Sequence, residues 1–141
     1  MSVEWFQPIV SDCGPEKPSH FARVLAENLP TEPEGRLLDI GCGCGVIGLC
    51  WLCRKQGRSV TFNDLMPQWL DLTRRNVEAK IYEGAIERSQ VNFTTVGSFR
   101  TIPEEVIAQH TLVAFNPPQL PSPRWTPKTG HRWTPEKRPT G

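Results

Sequence analysis

The run Asp39-Ile40-Gly41-Cys42-Gly43-Cys44-Gly45 constrains this chain more than any other stretch. Leu37-Leu38 precedes it and Val46-Ile47-Gly48-Leu49 follows, so the order reads as strand, tight glycine turn, helix. Glycines at every second position let a backbone pass close to a ligand with no Cβ in the way. A helix starting near Gly45 adds free N–H groups and a positive dipole end. An acidic residue, Asp39, ends the strand two places before the first glycine.

The loop alone leaves three readings open. Gly43-Cys44-Gly45-Val46-Ile47-Gly48 satisfies G-x-G-x-x-G, and Asp64 follows Gly43 by 21 residues, as a nicotinamide-dependent oxidoreductase requires of its ribose-binding carboxylate. A glycine-rich turn without a ligand is the plainest alternative. Asn116-Pro117-Pro118-Gln119 narrows the choice. It follows the apolar run Leu112-Val113-Ala114-Phe115, a buried strand that two prolines stop at once. An Asn side chain is thereby displayed at the carboxyl end of a strand, where open α/β sheets bind ligands. The competing view of this motif is a strand-ending Asn-Pro turn.

With both motifs in place, residues 18–120 resemble the class I S-adenosylmethionine-dependent methyltransferases, and among them the Asn-Pro-Pro subgroup of release-factor glutamine and nucleic-acid amino-methyltransferases. The resemblance implies S-adenosyl-L-methionine over Gly41, Cys42, Gly43 and Gly45, with Asp39 orienting its methionine end. It implies ribose binding by Asp64, flanked by Asn63 and Leu65, and adenine near Ser98 and Phe99. A carboxylate suits the ribose because it accepts two hydrogen bonds at once. Asp64 is otherwise an N-cap for the next helix. Asn116 and Pro117 would hold the acceptor NH₂ through their carbonyl oxygens, with Pro118 and Gln119 completing the catalytic motif. Two departures stand out. Ser98 occupies a place often acidic in the family, and Gln119 stands where an aromatic ring normally stacks on the substrate. Gln119 disfavours a flipped nucleobase and favours a smaller amine or amide. No metal is needed for the transfer.

The family fold implied is α/β: a Rossmann-like parallel sheet of about four strands, order 3-2-1-4, flanked by helices and truncated relative to seven strands. Helices are expected from Ser19 to about Leu29, with Phe21, Val24, Leu25 and Leu29 as the apolar stripe, and from about Gly45 to Gln56. A third begins near Pro67, its stripe being Leu65, Trp69, Leu70, Thr73 and Val77. Strands are expected at 36–40, 59–64, 91–96 and 111–115, with a short helix or loop over 102–109. Residues 1–17 read as an irregular segment, with Trp5 and Phe6 packing onto the domain or over the cofactor crevice, and 121–141 as a Pro-rich basic tail.

The chain's 141 residues suit one domain, and its net charge of +1 marks no nucleic-acid-binding protein as a whole. From Arg124 onward, however, five basic residues face one acidic residue, and Arg-Trp-Thr-Pro occurs twice. The tail could grip phosphates and stack bases, though a disordered terminus is the favoured reading. There is no run of 18 apolar residues and no secretory signal, so a cytoplasmic location is expected. Cys13, Cys42, Cys44, Cys50 and Cys53 are odd in number, and four of them crowd within twelve residues, which is no disulfide framework. Cys50 and Cys53 read as buried small residues on one helix face rather than a metal site, and Cys42 and Cys44 as fillers of variable loop places. His110 has no partner that the sequence identifies. The expected acceptor is a small molecule or a protein, with nucleic acid less favoured. Self-association, or a partner chain completing the sheet, is the expected remedy for an exposed fourth strand. The function class competing with an enzyme is a catalytically inactive cofactor-fold subunit that needs such a partner.

Overall fold

A computed structural model describes residues 3–95 and 101–116. Its strands are β1 (Arg36–Ile40), β2 (Ser59–Asn63), β3 (Val91–Thr94) and β4 (Leu112–Phe115). They form one parallel sheet in the order β3-β2-β1-β4, the order expected. The helices are α1 (His20–Asn28), α2 (Val46–Cys53), α3 (Pro67–Tyr82) and the short α4 (Glu104–Ala108). Among the described residues no helix is long and apolar enough to cross a membrane.

Register divides the sheet into two unlike faces. Leu37 lies beside Val60 and Leu112, and Asp39 beside Phe62 and Ala114. These residues share the face on which α1, α2 and α3 build the main core. Side chains alternate along a strand, so Leu38, Ile40, Thr61, Asn63, Val113 and Phe115 share the other face. There Ile102 and Val106 cover Leu38 and Ile40. Trp51 anchors the main core. It is wholly buried, and its indole N–H donates to the Pro30 carbonyl at 2.9 Å. Phe6 and Val10 join that core, and Trp5 packs against it.

Helix boundaries follow local chemistry. Ser19 caps α1, its hydroxyl accepting from the Ala22 amide at 3.1 Å. The expected stripe of α1 is corrected. Leu25 packs against the core and Leu29, just beyond the helix, is buried as expected, but Phe21 and Val24 are exposed and Ala22 and Ala26 are turned inward in their place. Small side chains let α1 lie close on α2, so the larger ones fall outside the contact. Pro67 opens α3, where its missing N–H is not needed. The stripe of α3 also changes. Leu65 precedes the helix and is exposed, whereas Leu72 and the polar Asn76 are buried beside Leu70, Thr73 and Val77.

His110 has two partners. Its Nδ1 lies 2.6 Å from the Val106 carbonyl oxygen and its Nε2 lies 2.7 Å from Thr61 Oγ1. A carbonyl only accepts, so Nδ1 carries the proton. The ring ties α4 to β2.

Candidate cofactor site

The glycine loop joins β1 to α2 at the carboxyl end of the sheet. Gly43 and Gly45 have φ of +56° and +87°, values that side chains other than glycine adopt only with strain. A Cβ on Gly43 would meet nothing within 4 Å, so the bare backbone there faces open space. Gly45 closes a turn by donating from its N–H to the Cys42 carbonyl at 2.8 Å. Gly48 is required for a different reason. A Cβ there would stand 2.6 Å from Phe62 and 2.8 Å from Val60, so this glycine lets α2 press onto β2.

Polar side chains set the loop from three directions. Asp64 Oδ2 accepts from the Gly43 amide at 3.1 Å, and its Oδ1 accepts from the Met66 amide at 3.0 Å. The N-cap of α3 is Met66, so Asp64 is not that cap; it turns the chain into the helix from two residues earlier. Each carboxylate oxygen has capacity for a second donor. Thr73 donates from Oγ1 to the Gly43 carbonyl at 2.6 Å, and Asn76 donates from Nδ2 to the Cys44 carbonyl at 2.9 Å. From below, Asp39 Oδ2 accepts from the Gly48 amide at 3.2 Å. That supplies α2 with the side-chain acceptor its N-cap Gly45 lacks.

The electrostatics follow from burial. Asp39 is 1% exposed, and desolvation, with a smaller push from Asp64, raises its pKa to about 7 despite the Gly48 hydrogen bond. Burial raises the Cys44 thiol to about 11 and pushes Cys42 well above the ordinary thiol range. Neither is a thiolate nucleophile near neutral pH. The expectation that their side chains fill indifferent places is corrected, since both are buried in the main core and both line the crevice described next. Cys50 is buried and Cys53 half-buried, and burial raises both thiols. Among the described residues no group of three or more metal-ligating side chains converges.

A crevice of about 770 Å³ opens over the loop. Gly41, Cys42, Gly43, Asn63, Asp64 and Leu65 line it, and Phe115 and Asn116 reach it from β4. The structure thus brings together eight residues drawn from β1, β2 and β4 and the turns after them. Asp39 and Gly45 are not on this wall; they lie behind it. Ser98, Phe99, Pro117, Pro118 and Gln119 lie outside the described residues, as does the repeated tail. Sequence reasoning missed the rest of the lining, which includes Cys13, Lys17, Ser19 and Phe21, together with Met66 and Trp69. It also missed the polar work of Thr73 and Asn76. The available signal was two polar residues three apart on the inward stripe of α3. A second cavity of about 770 Å³ sits at the amino end of the strands, near Arg36, Arg58 and Asn92, away from every loop residue named here.

Solved structures share this architecture at low identity. Sp1610 of Streptococcus pneumoniae, proposed to be a tRNA (m1A22) methyltransferase, is 17% identical with a TM-score of 0.52; the match covers 67% of this chain and 39% of that one. TrmK of M. capricolum, solved with S-adenosyl-homocysteine, is 14% identical with a TM-score of 0.47, covering 56% of this chain and 32% of that one. YcgJ of Bacillus subtilis is 19% identical with a TM-score of 0.45, covering 60% and 32%. The matched part therefore spans roughly a third of each solved protein. At this identity Sp1610 speaks for the fold alone. The family described as methyltransferase small domain matches residues 17–118, which take in the glycine loop, Asp64 and Asn116. The strand order, the glycine turn and that match agree: this chain belongs to the methyltransferase small domain family.

Proposed function

We propose that this chain binds S-adenosyl-L-methionine in the crevice over Gly41–Gly45 and transfers its methyl group to the nitrogen of an amine or amide. The observation that carries the reading is the meeting of Gly43, Asp64 and Asn116 around one cavity. Three features fit the cofactor. The bare Cα of Gly43 faces open space, Asp64 keeps acceptor capacity for ribose hydroxyls, and a cavity of about 770 Å³ lies within the range of small-molecule sites, roughly 300–1,000 Å³. When bound, the cofactor supplies a methyl group on a sulfonium sulfur, a good leaving group for in-line transfer.

The chain's own residues bind and orient. Asp64 holds the ribose, and Leu65 borders the same end of the crevice. Asp39, from behind the loop, sets the α2 amino end and the local charge that the methionine portion meets. Ser98 and Phe99 are assigned to the adenine. Asn116 presents a side-chain carbonyl that accepts from an acceptor N–H, and the Pro117 carbonyl is its partner in the Asn-Pro-Pro arrangement. Gln119 replaces a stacking ring with hydrogen-bonding groups, which favours a small amine or an amide over a nucleobase. Placement then supplies much of the rate. A tRNA acceptor, of the kind proposed for Sp1610, is the competing substrate class.

Titration of the purified chain with S-adenosylhomocysteine, with NAD as control, tests the cofactor assignment. Binding of the first and not the second is expected. Asn116→Ala should retain S-adenosylhomocysteine affinity and lose transfer by about a hundredfold or more, as for lost substrate positioning. NAD binding, or a fully active Asn116→Ala, contradicts the reading. A second reading is favoured by one observation, that among the described residues β4 pairs with β1 alone. In it the chain is a cofactor-fold module whose activity needs a partner chain. Turnover by a species with the mass of a monomer excludes that version.

A further inference from the structure

Asn76 uses its full hydrogen-bonding capacity in one place. It is 1% exposed on α3. Its Nδ2 donates to the Cys44 carbonyl at 2.9 Å and to the Asp12 carbonyl at 2.7 Å. Its Oδ1 accepts from the Asp12 amide at 3.1 Å and from Ser11 Oγ at 3.0 Å. Two donors and two acceptor sites are all that an Asn side chain offers. The orientation is forced, since turning the amide over would aim its NH₂ at an N–H and its oxygen at two carbonyls.

Those bonds join two segments that line one crevice. Cys44 belongs to the glycine loop, whereas Ser11 and Asp12 lead directly into Cys13, Lys17 and Ser19, which line the same crevice. The chain between is held by the same helix. Asp12 Oδ1 accepts from the Gly14 amide at 2.9 Å, and a Cβ on Gly14 would stand 2.9 Å from Leu72 and 3.0 Å from Trp69. Trp69 lines the crevice as well. Further along, Lys80 donates to the Pro8 carbonyl at 2.7 Å. The N-terminal segment is thus fastened to α3 along its length, and Asn76 is where that fastening reaches the loop.

We propose that Asn76 is a positioning residue for the cofactor. It fixes the distance between the glycine loop and the N-terminal wall, so that residues 11–19 close one side of the binding crevice. The proposal rests on the cofactor reading above. It adds that the segment before the first helix is part of the site and that a helix residue with no assigned ligand contact controls its affinity.

The test compares full-length variants in S-adenosylhomocysteine titration, thermal melting, and alkylation of Cys13 followed by mass spectrometry. Cys13 is half-buried on the crevice wall and reports the wall's position. Asn76→Ala should weaken binding about tenfold or more, the scale of one or two lost buried hydrogen bonds, and speed Cys13 alkylation. Asn76→Asp keeps the acceptor and loses both donors, and should also bind weakly. Val77→Ala, in the core on the same helix, lowers stability and should leave affinity and Cys13 reactivity as in the parent chain. A folded Asn76→Ala that binds like the parent overturns the proposal. Equal affinity loss in Asn76→Ala and Val77→Ala overturns it too, because the effect is then general destabilisation. If Asn76→Ala does not fold, Ser11→Ala decides. It removes one bond from the segment's side, and an affinity drop with faster Cys13 alkylation supports the clamp, whereas no change in either refutes it. A parent chain that binds no S-adenosylhomocysteine removes the cofactor reading and this inference together. Binding by the parent with indifferent variants removes this inference alone.

Discussion

Asp39 shows how one residue serves fold and site at once. Its carboxylate sits under the loop, 1% exposed, accepting from the Gly48 amide. Burial raises its pKa from 3.8 to about 7. Between those values the folded chain holds a proton that the unfolded chain has released. Folding is therefore favoured at low pH, and this contribution is lost as pH rises from 3.8 towards 7, levelling above. The full effect is on the order of 4 kcal/mol. Asp39→Asn keeps an oxygen for Gly48 and carries no charge. Its stability relative to the parent, measured by urea unfolding at pH 5 and pH 8, should rise by a few kcal/mol at the higher pH. Parallel curves at the two pH values would show that the carboxylate does not titrate in this window. A bound ligand bearing a positive amino group would favour the ionised form, so cofactor affinity should rise over the same range.

At the scale of the element, the turn between β1 and α2 separates two demands on glycine. Gly48 is needed for packing and Gly43 for access. Gly48→Ala puts a Cβ 2.6 Å from Phe62, itself fully buried on β2. The helix must back away from the sheet, and a stability loss of about 1–3 kcal/mol is expected, as for overpacked cores. Gly43→Ala meets no atoms but must adopt φ near +56°, which costs about 1–2 kcal/mol. Its added methyl group projects into the open side of the loop. Gly43→Ala should therefore lose S-adenosylhomocysteine binding, while Gly48→Ala, at a comparable or larger stability cost, should keep it in the folded protein. Calorimetry on both variants measures the two effects side by side. Equal S-adenosylhomocysteine affinity of the pair would mean that the loop's open side is not the binding surface.

At the scale of the whole molecule, the described residues cover the sheet unequally. Three helices pack on the face bearing Leu37 and Phe62, and α4 covers Leu38 and Ile40 on the other. Beyond α4 on that face, Val113 is 45% exposed and Phe115 37%. Both belong to β4, which among the described residues pairs only with β1. An exposed apolar edge without charge is a template for association. Val113→Lys places a charge on that face and should lower concentration-dependent light scattering, with S-adenosylhomocysteine affinity unchanged. Its stability should stay within about 0.5 kcal/mol of the parent, as for most surface substitutions. Scattering equal to the parent's would show that association uses another surface.

Much of this architecture is legible in the chain read by itself. The glycine turn after Leu37-Leu38, the cap at Ser19, Pro67 at the start of α3 and the acidic Asp64 just after β2 are signals within a few residues of the structure they specify. Strand order followed from the family resemblance that those signals support, and the sheet has that order. What the tertiary structure decided are contacts with no local signature. Asn76 meets Ser11 and Asp12 across 64 or 65 residues, and Asp64 meets Gly43 across 21. The inward face of α1 was set by how closely it lies on α2, which favoured Ala22 and Ala26 over the larger Phe21 and Val24. His110 found Thr61 only because β2 and α4 come together in space. Local backbone preference acts between neighbours in sequence and can be read there. A buried polar group is satisfied by whatever the fold brings within about 3 Å, and only the folded chain specifies that partner.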